Sequence, residues 1–416
     1  MAQVVAISFG PHESLSSGVV SGTHRLGLPQ LVWGDGAPWR EANLWLLSRR
    51  NAGLEAETLR KDAQLVEAYA KWVEEESLSW HHFPPRKEDR VLNRYRRHLL
   101  NQRIVGKLAA STVTHRMRVV IALYRWLMDE QLISTKWPLW EDRTLGVRIT
   151  SDFGLHRSIN VTTSSLAIKN KRPPGYRLEG GVLPVSATLR TQILEVARSY
   201  APFELFLMLA CGFFTGMRIG SICDLRVGTL TNAARDSKLN GFVHLTIGPG
   251  ATPQVHTKFG VTGQVIVPAT LFNELLGYVE SPRRLKRVSL ASPNDRDQVF
   301  LTSAGRSYAA KSPGHGATVS VLMSRLRRDA AKAGIDLAGF HFHQTRATFA
   351  TEVAETALRS GLRLNAISIV KDLLLHAHEA TSLRYIRFVE DEKLKAEIGN
   401  DFSRAFLNEA VMAPHQ

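Results

Sequence analysis

Apolar residues recur at helical spacing over residues 52–137, with Leu54, Leu59, Leu65, Tyr69 and Trp72 in one stretch and Val91, Tyr95 and Leu99 in the next. The clearest helix follows Ser111-Thr112, which can cap its free N–H groups. Val113, Met117, Val120, Ile121, Tyr124, Leu127 and Met128 then fall on one face. Residues 52–140 are therefore expected to form a small helical bundle. Before it, residues 1–51 are weakly periodic, with Trp33, Trp39 and Trp45 near their end, and read as an N-terminal extension of unknown role. Periodicity fades again over 141–182. There Ser151 and the run Thr162-Thr163-Ser164-Ser165 precede Lys169, Lys171, Arg172, Pro173 and Pro174, as in a basic linker.

A second domain, 183–416, opens with helical stretches near 186–199 and 202–214. Alternating apolar residues predict short strands at 242–247 and 264–267, and helical spacing returns over 317–333 and from Arg346 to the end. The fold class is mainly α with a small β-sheet. The longest strongly apolar stretch, Phe206 to Phe214, is far short of the ~20 residues that cross a bilayer, so no membrane association is expected. The N-terminus lacks a basic segment followed by an apolar one, and secretion is not expected. Cys211 and Cys223 lie in apolar runs and read as reduced core residues of a cytoplasmic protein, a disulfide being the lesser alternative.

Charge changes the picture. The 416 residues carry 53 Lys and Arg against 38 Asp and Glu, a formal charge of +15. A surplus of that size calls for a polyanion, but it does not by itself separate nucleic acid from an acidic membrane. Its distribution is more informative. Val91 to Met128 contains Arg94, Arg96, Arg97, Arg103, Lys107, Arg116, Arg118 and Arg125 and no acid, which marks a phosphate-binding face rather than an ordinary solvated one.

No GxxxxGK[ST], HExxH, paired CxxC or GxSxG occurs. His341-Phe342-His343 and His376-Ala377-His378 lack the further ligands zinc needs, so no metal or other cofactor is expected. What stands out is TGMRIGSICDLR with Arg218, HQTRATFAT with His343 and Arg346, and LLLHAHEATSLRYIRF with His376 and, nine residues on, Tyr385. Each alone has an ordinary explanation: a structural ion pair, a core histidine, a helix-end arginine, a packed tyrosine.

Together these strings resemble, in order and spacing, the boxes of the tyrosine site-specific recombinases, the phage integrase family. HTKFGVTGQVIVP looks like that family's β-hairpin with a lysine at its turn, here Lys258, although Lys286 and Lys311 are alternatives. STVTHRMRVVIALYRWLMDEQLI is similar to the last helices of its core-binding domain. The resemblance implies a helical core-binding domain and an α+β catalytic domain closing as a C-shaped clamp on double-stranded DNA. It also implies a site-specific recombinase or integrase of a mobile element, working through a 3′-phosphotyrosyl intermediate. Arg218, Lys258, His343, Arg346, His376 and Tyr385 would be its catalytic residues. A homotetramer on DNA, accessory DNA-bending proteins and a nucleoid-associated location follow from the same likeness. The alternatives are a type IB topoisomerase-like nicking and closing enzyme, a non-catalytic DNA-binding regulator and a metal-dependent nuclease.

Three positions depart from the family pattern. Ser221 stands where an acid is usual, Leu375 where a glycine usually precedes the histidine, and Thr345 where leucine is common. The C-terminal stripe Phe402, Phe406, Leu407, Ala410 and Val411 would either cover its own domain or dock on a neighbouring protomer.

Overall fold

The computed structural model describes residues 1–9, 26–150, 156–170, 178–235, 240–309, 316–361 and 363–412, of which only the backbone is described at 6–9, 26, 145–150, 156–161, 180, 316–317, 363–364 and from 396 onward. Ser151 and Lys171 to Pro174 of the expected linker lie outside the described residues, as do the side chains of the C-terminal stripe. The chain divides into two compact units, Met1–Pro174 and Gly175–Gln416.

In the first unit β1 (Gln3–Phe9) pairs antiparallel with β2 (Leu26–Val32), followed by α1 (Arg40–Asn51), α2 (Ala56–Glu75), α3 (Val91–Ile104) and α4 (Ala110–Asp129). A long antiparallel hairpin closes it, β3 (Asp142–Thr150) on β4 (His156–Ser164). The predicted face of α4 is buried apart from half-buried Met128, but the helix starts one residue before Ser111, behind Ala109, which offers no side-chain cap. Tyr69 of α2 and Tyr124 of α4 meet in the core through their hydroxyls at 2.7 Å, so two large rings are buried without stranding either oxygen.

Two sequence expectations are corrected here. Residues 1–51 are no appendage: Ala2, Leu28, Leu31, Trp39, Trp45 and Leu46 belong to the same buried core as α2, α3 and α4. Asn43 locks this packing, its carbonyl accepting from Leu31 N at 2.7 Å and its amide donating to Leu31 O at 3.0 Å. The stretch 141–182 is not a plain linker either. Its threonines and β-branched residues suit the β3–β4 ladder, and Leu166 and Ile168 then return to the core of the first unit.

The second unit opens with α5 (Ala187–Tyr200), whose Ser186 cap accepts from Leu189 N, and α6 (Phe203–Thr215), nearly all apolar and buried. Then come α7 (Ile219–Cys223), α8 (Val227–Thr231) and a sheet β5–β6–β7 (Ala234–Arg235, Phe242–Ile247, Gly263–Pro268), antiparallel throughout with β6 central. Both predicted strands are present. α9 (Ala269–Glu280) and α10 (Pro282–Leu290) were not anticipated, whereas α11 (Gly316–Lys332) was. The expected helical run from Arg346 breaks into α12 (His343–Arg359), α13 (Arg363–Leu374) and α14 (Glu379–Met412). Left-handed residues mark both breaks, Gly361 at φ 73° and Leu375 at φ 49°.

One buried carboxylate ties this unit together. Fully buried Glu204 of α6 accepts from Tyr278 at 3.0 Å and Arg283 Nε at 2.8 Å, with Arg287 Nη1 at 2.9 Å. Burial pushes its carboxyl up, and the arginine contacts more than reverse the shift, so it stays ionised and fastens α9 and α10 to α6. Cys211 and Cys223 are buried and unbridged, and burial pushes both thiols up to about 12. No helix among the described residues is long and apolar enough to cross a membrane.

If the N-terminal residues are core, Trp39→Ala should destabilise the first unit by about 3–5 kcal/mol, the usual cost of emptying a buried aromatic site. Urea unfolding of that unit checks this, and a loss below about 1 kcal/mol would place Trp39 outside the core.

Candidate active site

α6 ends at Gly216, whose φ of 66° suits glycine. A Cβ there would come within 2.4 Å of Phe349 and 2.7 Å of Leu374, so the turn lies hard against α12 and α13. Two residues later Arg218, in extended conformation, immediately precedes α7, and its side chain is only 17% exposed.

Arg346, on the first turn of α12, is 2% exposed. Its Nη1 donates to Gly216 O at 2.6 Å and its Nη2 to Leu374 O at 2.8 Å, while Nε reaches a carboxylate oxygen of Glu179 at 3.1 Å. Burial and the nearby Arg218 pull its pKa down to about 10, so it remains charged at neutral pH. Arg346 thereby joins the end of α6 to the end of α13.

His376 follows left-handed Leu375. Its Nδ1 meets Ser382 Oγ at 2.9 Å and its Nε2 faces the same Glu179 oxygen at 3.3 Å. Burial lowers its pKa below the ordinary value, which favours the neutral ring. Tyr385, on α14, stacks on His376 with centroids 5.9 Å apart and planes at 12°. The tyrosine is fully buried and its hydroxyl has no hydrogen-bond partner. Burial, reinforced by Glu179, pushes it up to about 12.

Glu179 is the hub, with Oε1 2.6 Å from Arg218 Nη2 and Oε2 shared between Arg346 and His376. Burial pushes its carboxyl up, but His376 and the two guanidiniums hold it well below the usual carboxylate range. His343, the first residue of α12, is half-buried at the edge of this cluster, its pKa lowered first by burial and also by Arg346, Arg218 and Lys258. Lys258 stays exposed on the β6–β7 turn, its Nζ 5.0 Å from the Phe259 ring centroid. The structure thus gathers Arg218, Arg346, His376 and Tyr385 closely, places His343 at the rim and leaves Lys258 outermost. Such a pocket can hold a tetrahedral or trigonal oxyanion beside a phenol.

No family model matches the chain. A tyrosine recombinase of Pseudothermotoga lettingae is 28% identical over 193 residues, which span 46% of this chain and 52% of the relative. The chain thus matches about half the length of that curated relative. Among solved structures, the Tn1549 transposon integrase in complex with a circular intermediate DNA superposes with a TM-score of 0.50 at 14% identity, covering 85% of this chain and 99% of that one. A lambda integrase dimer bound to a COC′ core site gives 0.48 at 14% identity, over 83% and 94% of the two chains. Over that half the chain is similar in sequence to a tyrosine recombinase, and its fold is that of the Tn1549 integrase structure.

Two of the departures from the recombinase pattern acquire a local explanation. Leu375 takes the left-handed turn itself, its side chain lying over Gly263 of β7, where a Cβ would come within 2.4 Å of it. Thr345 is fully buried against Gly212 of α6, where it permits close helix contact. Glu179, Ser382 and the Gly216 and Leu374 carbonyls were missed. Carbonyl roles have no sequence signal, but Glu179 had one: it is the single acid between Asp152 and Glu195.

The basic run of the first unit is less free than its composition implies. Arg94 pairs with Glu76 at 3.0 Å and Arg125 with Asp142 at 2.8 Å, while Arg97 and Arg103 donate to the Glu88 and Lys169 carbonyls at 2.7 Å and 3.4 Å. Arg96 and Arg116 are half-buried, each with a buried Nε that makes no hydrogen bond, and Lys107 and Arg118 are exposed.

Because Glu179 is more acidic folded than unfolded, its stabilisation is present above the unfolded glutamate value of ~4.3 and lost as pH falls toward the folded one. Acid unfolding of the second unit should steepen below about pH 4. Glu179→Gln should flatten that slope and cost about 1.5–3 kcal/mol at pH 7, the worth of a charge-assisted hydrogen bond. Unchanged acid profiles in the two proteins would contradict the assignment.

Proposed function

We propose that the chain is a site-specific DNA recombinase that cleaves and rejoins strands through a phosphotyrosyl bond. The observation that carries this is the convergence of Arg218, Arg346 and His376 on one anion position, with the ring of Tyr385 stacked on His376. The relative's name and the DNA in the integrase structures support double-stranded DNA as the partner.

In this reading the Tyr385 oxygen attacks the phosphorus, its proton leaves, and the bond to the 5′-oxygen breaks as the 3′-phosphotyrosyl bond forms. The extra negative charge on the non-bridging oxygens is met by two guanidiniums and an imidazole N–H, each preorganised donor being worth on the order of 3 kcal/mol. The phenol, pushed up to about 12, is a poor nucleophile until an anion partner leaves and cationic groups face it. His343 at the rim takes the tyrosine proton, and exposed Lys258 protonates the departing 5′-oxygen. The ester conserves the energy of the broken bond, and a second 5′-hydroxyl reverses the step on a new strand. Four protomers acting on two duplexes, aided by accessory proteins that bend DNA, complete the proposal, with the work done on cytoplasmic, nucleoid-associated DNA.

Nicked suicide duplexes tiled across the DNA flanking the gene, incubated in chelator, should yield a denaturation-resistant protein–DNA adduct. Tyr385→Phe should abolish it, and Arg218→Ala should reduce it by about 10²–10³-fold. Absence of any adduct would remove the proposal, and relaxation of arbitrary supercoiled plasmid without two-site recombination would turn it into a nicking and closing enzyme.

Arg118 and Lys107, exposed, should carry more of the phosphate contact than paired Arg94 and Arg125. Arg118→Ala should lower the slope of log affinity against log salt by about one. An equal effect at Arg94 would show that its ion pair opens on DNA.

A further inference from the structure

The phosphate position of this site is already filled by the chain itself. Glu179 Oε1 sits 2.6 Å from Arg218 Nη2, and Oε2 lies 3.1 Å from Arg346 Nε and 3.3 Å from His376 Nε2. A carboxylate and a phosphate present the same pair of oxygens to a guanidinium fork. Nη1 and Nη2 of Arg346 each donate to a carbonyl, of Gly216 and Leu374, and His376 Nδ1 is engaged by Ser382. Glu179 thus faces Arg218 Nη2, Arg346 Nε and His376 Nε2, three groups that can meet an oxyanion.

The same segment also packs into the apolar cluster that buries the nucleophile. Leu178 is 2% exposed and belongs to the apolar cluster that contains Tyr385, whose buried hydroxyl makes no hydrogen bond. The two residues sit side by side in sequence, one over the tyrosine's cluster and one in the anion pocket. They are held by a single 3₁₀ turn, Glu179–Gly181, in which Gly181 N donates to Leu178 O at 3.0 Å. A segment so short withdraws as a piece.

We propose that the Leu178–Gly181 turn is a built-in competitor for the scissile phosphate: the Glu179 carboxylate occupies the phosphate's place, and DNA is cleaved only after displacing it. The proposal rests on the recombinase reading for the identity of the displaced ligand, but the competition itself requires only an oxyanion. With the turn withdrawn, Arg218 and Arg346 regain free donors and the roof over Tyr385 opens in one movement. The unengaged protein is thereby kept from attacking stray phosphodiesters.

Inorganic phosphate, titrated by calorimetry into the full chain, reads this directly. Glu179→Gln and Glu179→Ala should each bind phosphate at least about tenfold more tightly than the wild type, and adding Arg218→Ala to Glu179→Ala should remove the gain. Melting curves establish that the variants are folded; if Gln and Ala both fail, Glu179→Asp, one methylene shorter, should show the same direction. Unchanged or weaker phosphate binding in folded variants overturns the competitor, as does adduct formation that falls in step with phosphate binding. Tighter phosphate with no adduct from any duplex keeps the competitor and discards the recombinase; adducts with unchanged phosphate binding do the reverse.

Discussion

A guanidinium that is 2% exposed has to find acceptors, and the way Arg346 finds them organises the second unit. Two of its nitrogens take the carbonyls of Gly216 and Leu374, the residues at which α6 and α13 stop. Helix C-termini present unpaired carbonyls and the negative end of the helix dipole, so a buried cation there is doubly favoured. The two boxes that flank Arg346 in the chain's functional pattern, the Gly216–Arg218 turn and the Leu375–His376 turn, are thus fixed by the side chain they act alongside. Losing Arg346 would unmake the positions of Arg218 and His376 as well as remove a charge.

Charge of that density in a dry site needs an anion. In the present state Glu179 supplies it, and the energetic logic is the same as at Glu204, where a fully buried carboxylate is kept ionised by arginines. The difference lies in access. Glu204 is sealed among α6, α9 and α10, whereas Glu179 rides on one turn at the start of its unit, 13% exposed in its side chain. Ion pairs that hold a fold and ion pairs that hold a place for a substrate are built from the same parts and separated by how easily the acid can leave.

Much of this was legible in the chain. Helices α4, α5, α6 and α11 and strands β6 and β7 follow from periodicity that burial later respects, because their apolar faces point to a core contributed mostly by near neighbours. The grouping of Arg218, Arg346, His376 and Tyr385 was legible only as spacing within short strings, not as contact. The β1–β2 and β3–β4 hairpins were misread for one reason: a strand gains its hydrogen bonds from a partner elsewhere in the chain, so a strand of seven or nine residues carries little local signal. The helix ends were likewise displaced, since Ala109 caps α4 with nothing but backbone and Leu375 turns left-handed without being glycine.

By itself the sequence determined which side chains could meet an oxyanion, the order in which they come, and the surplus of fifteen positive charges. Only the tertiary structure decided that Arg346 is as much a structural tie as a catalytic candidate, that Lys258 remains at the surface, and that Glu179, a lone acid in a basic stretch, closes the pocket. Composition and spacing record what a residue can do; what it does depends on desolvation and on partners brought from 130 and 167 positions away, and neither is a property of any local string.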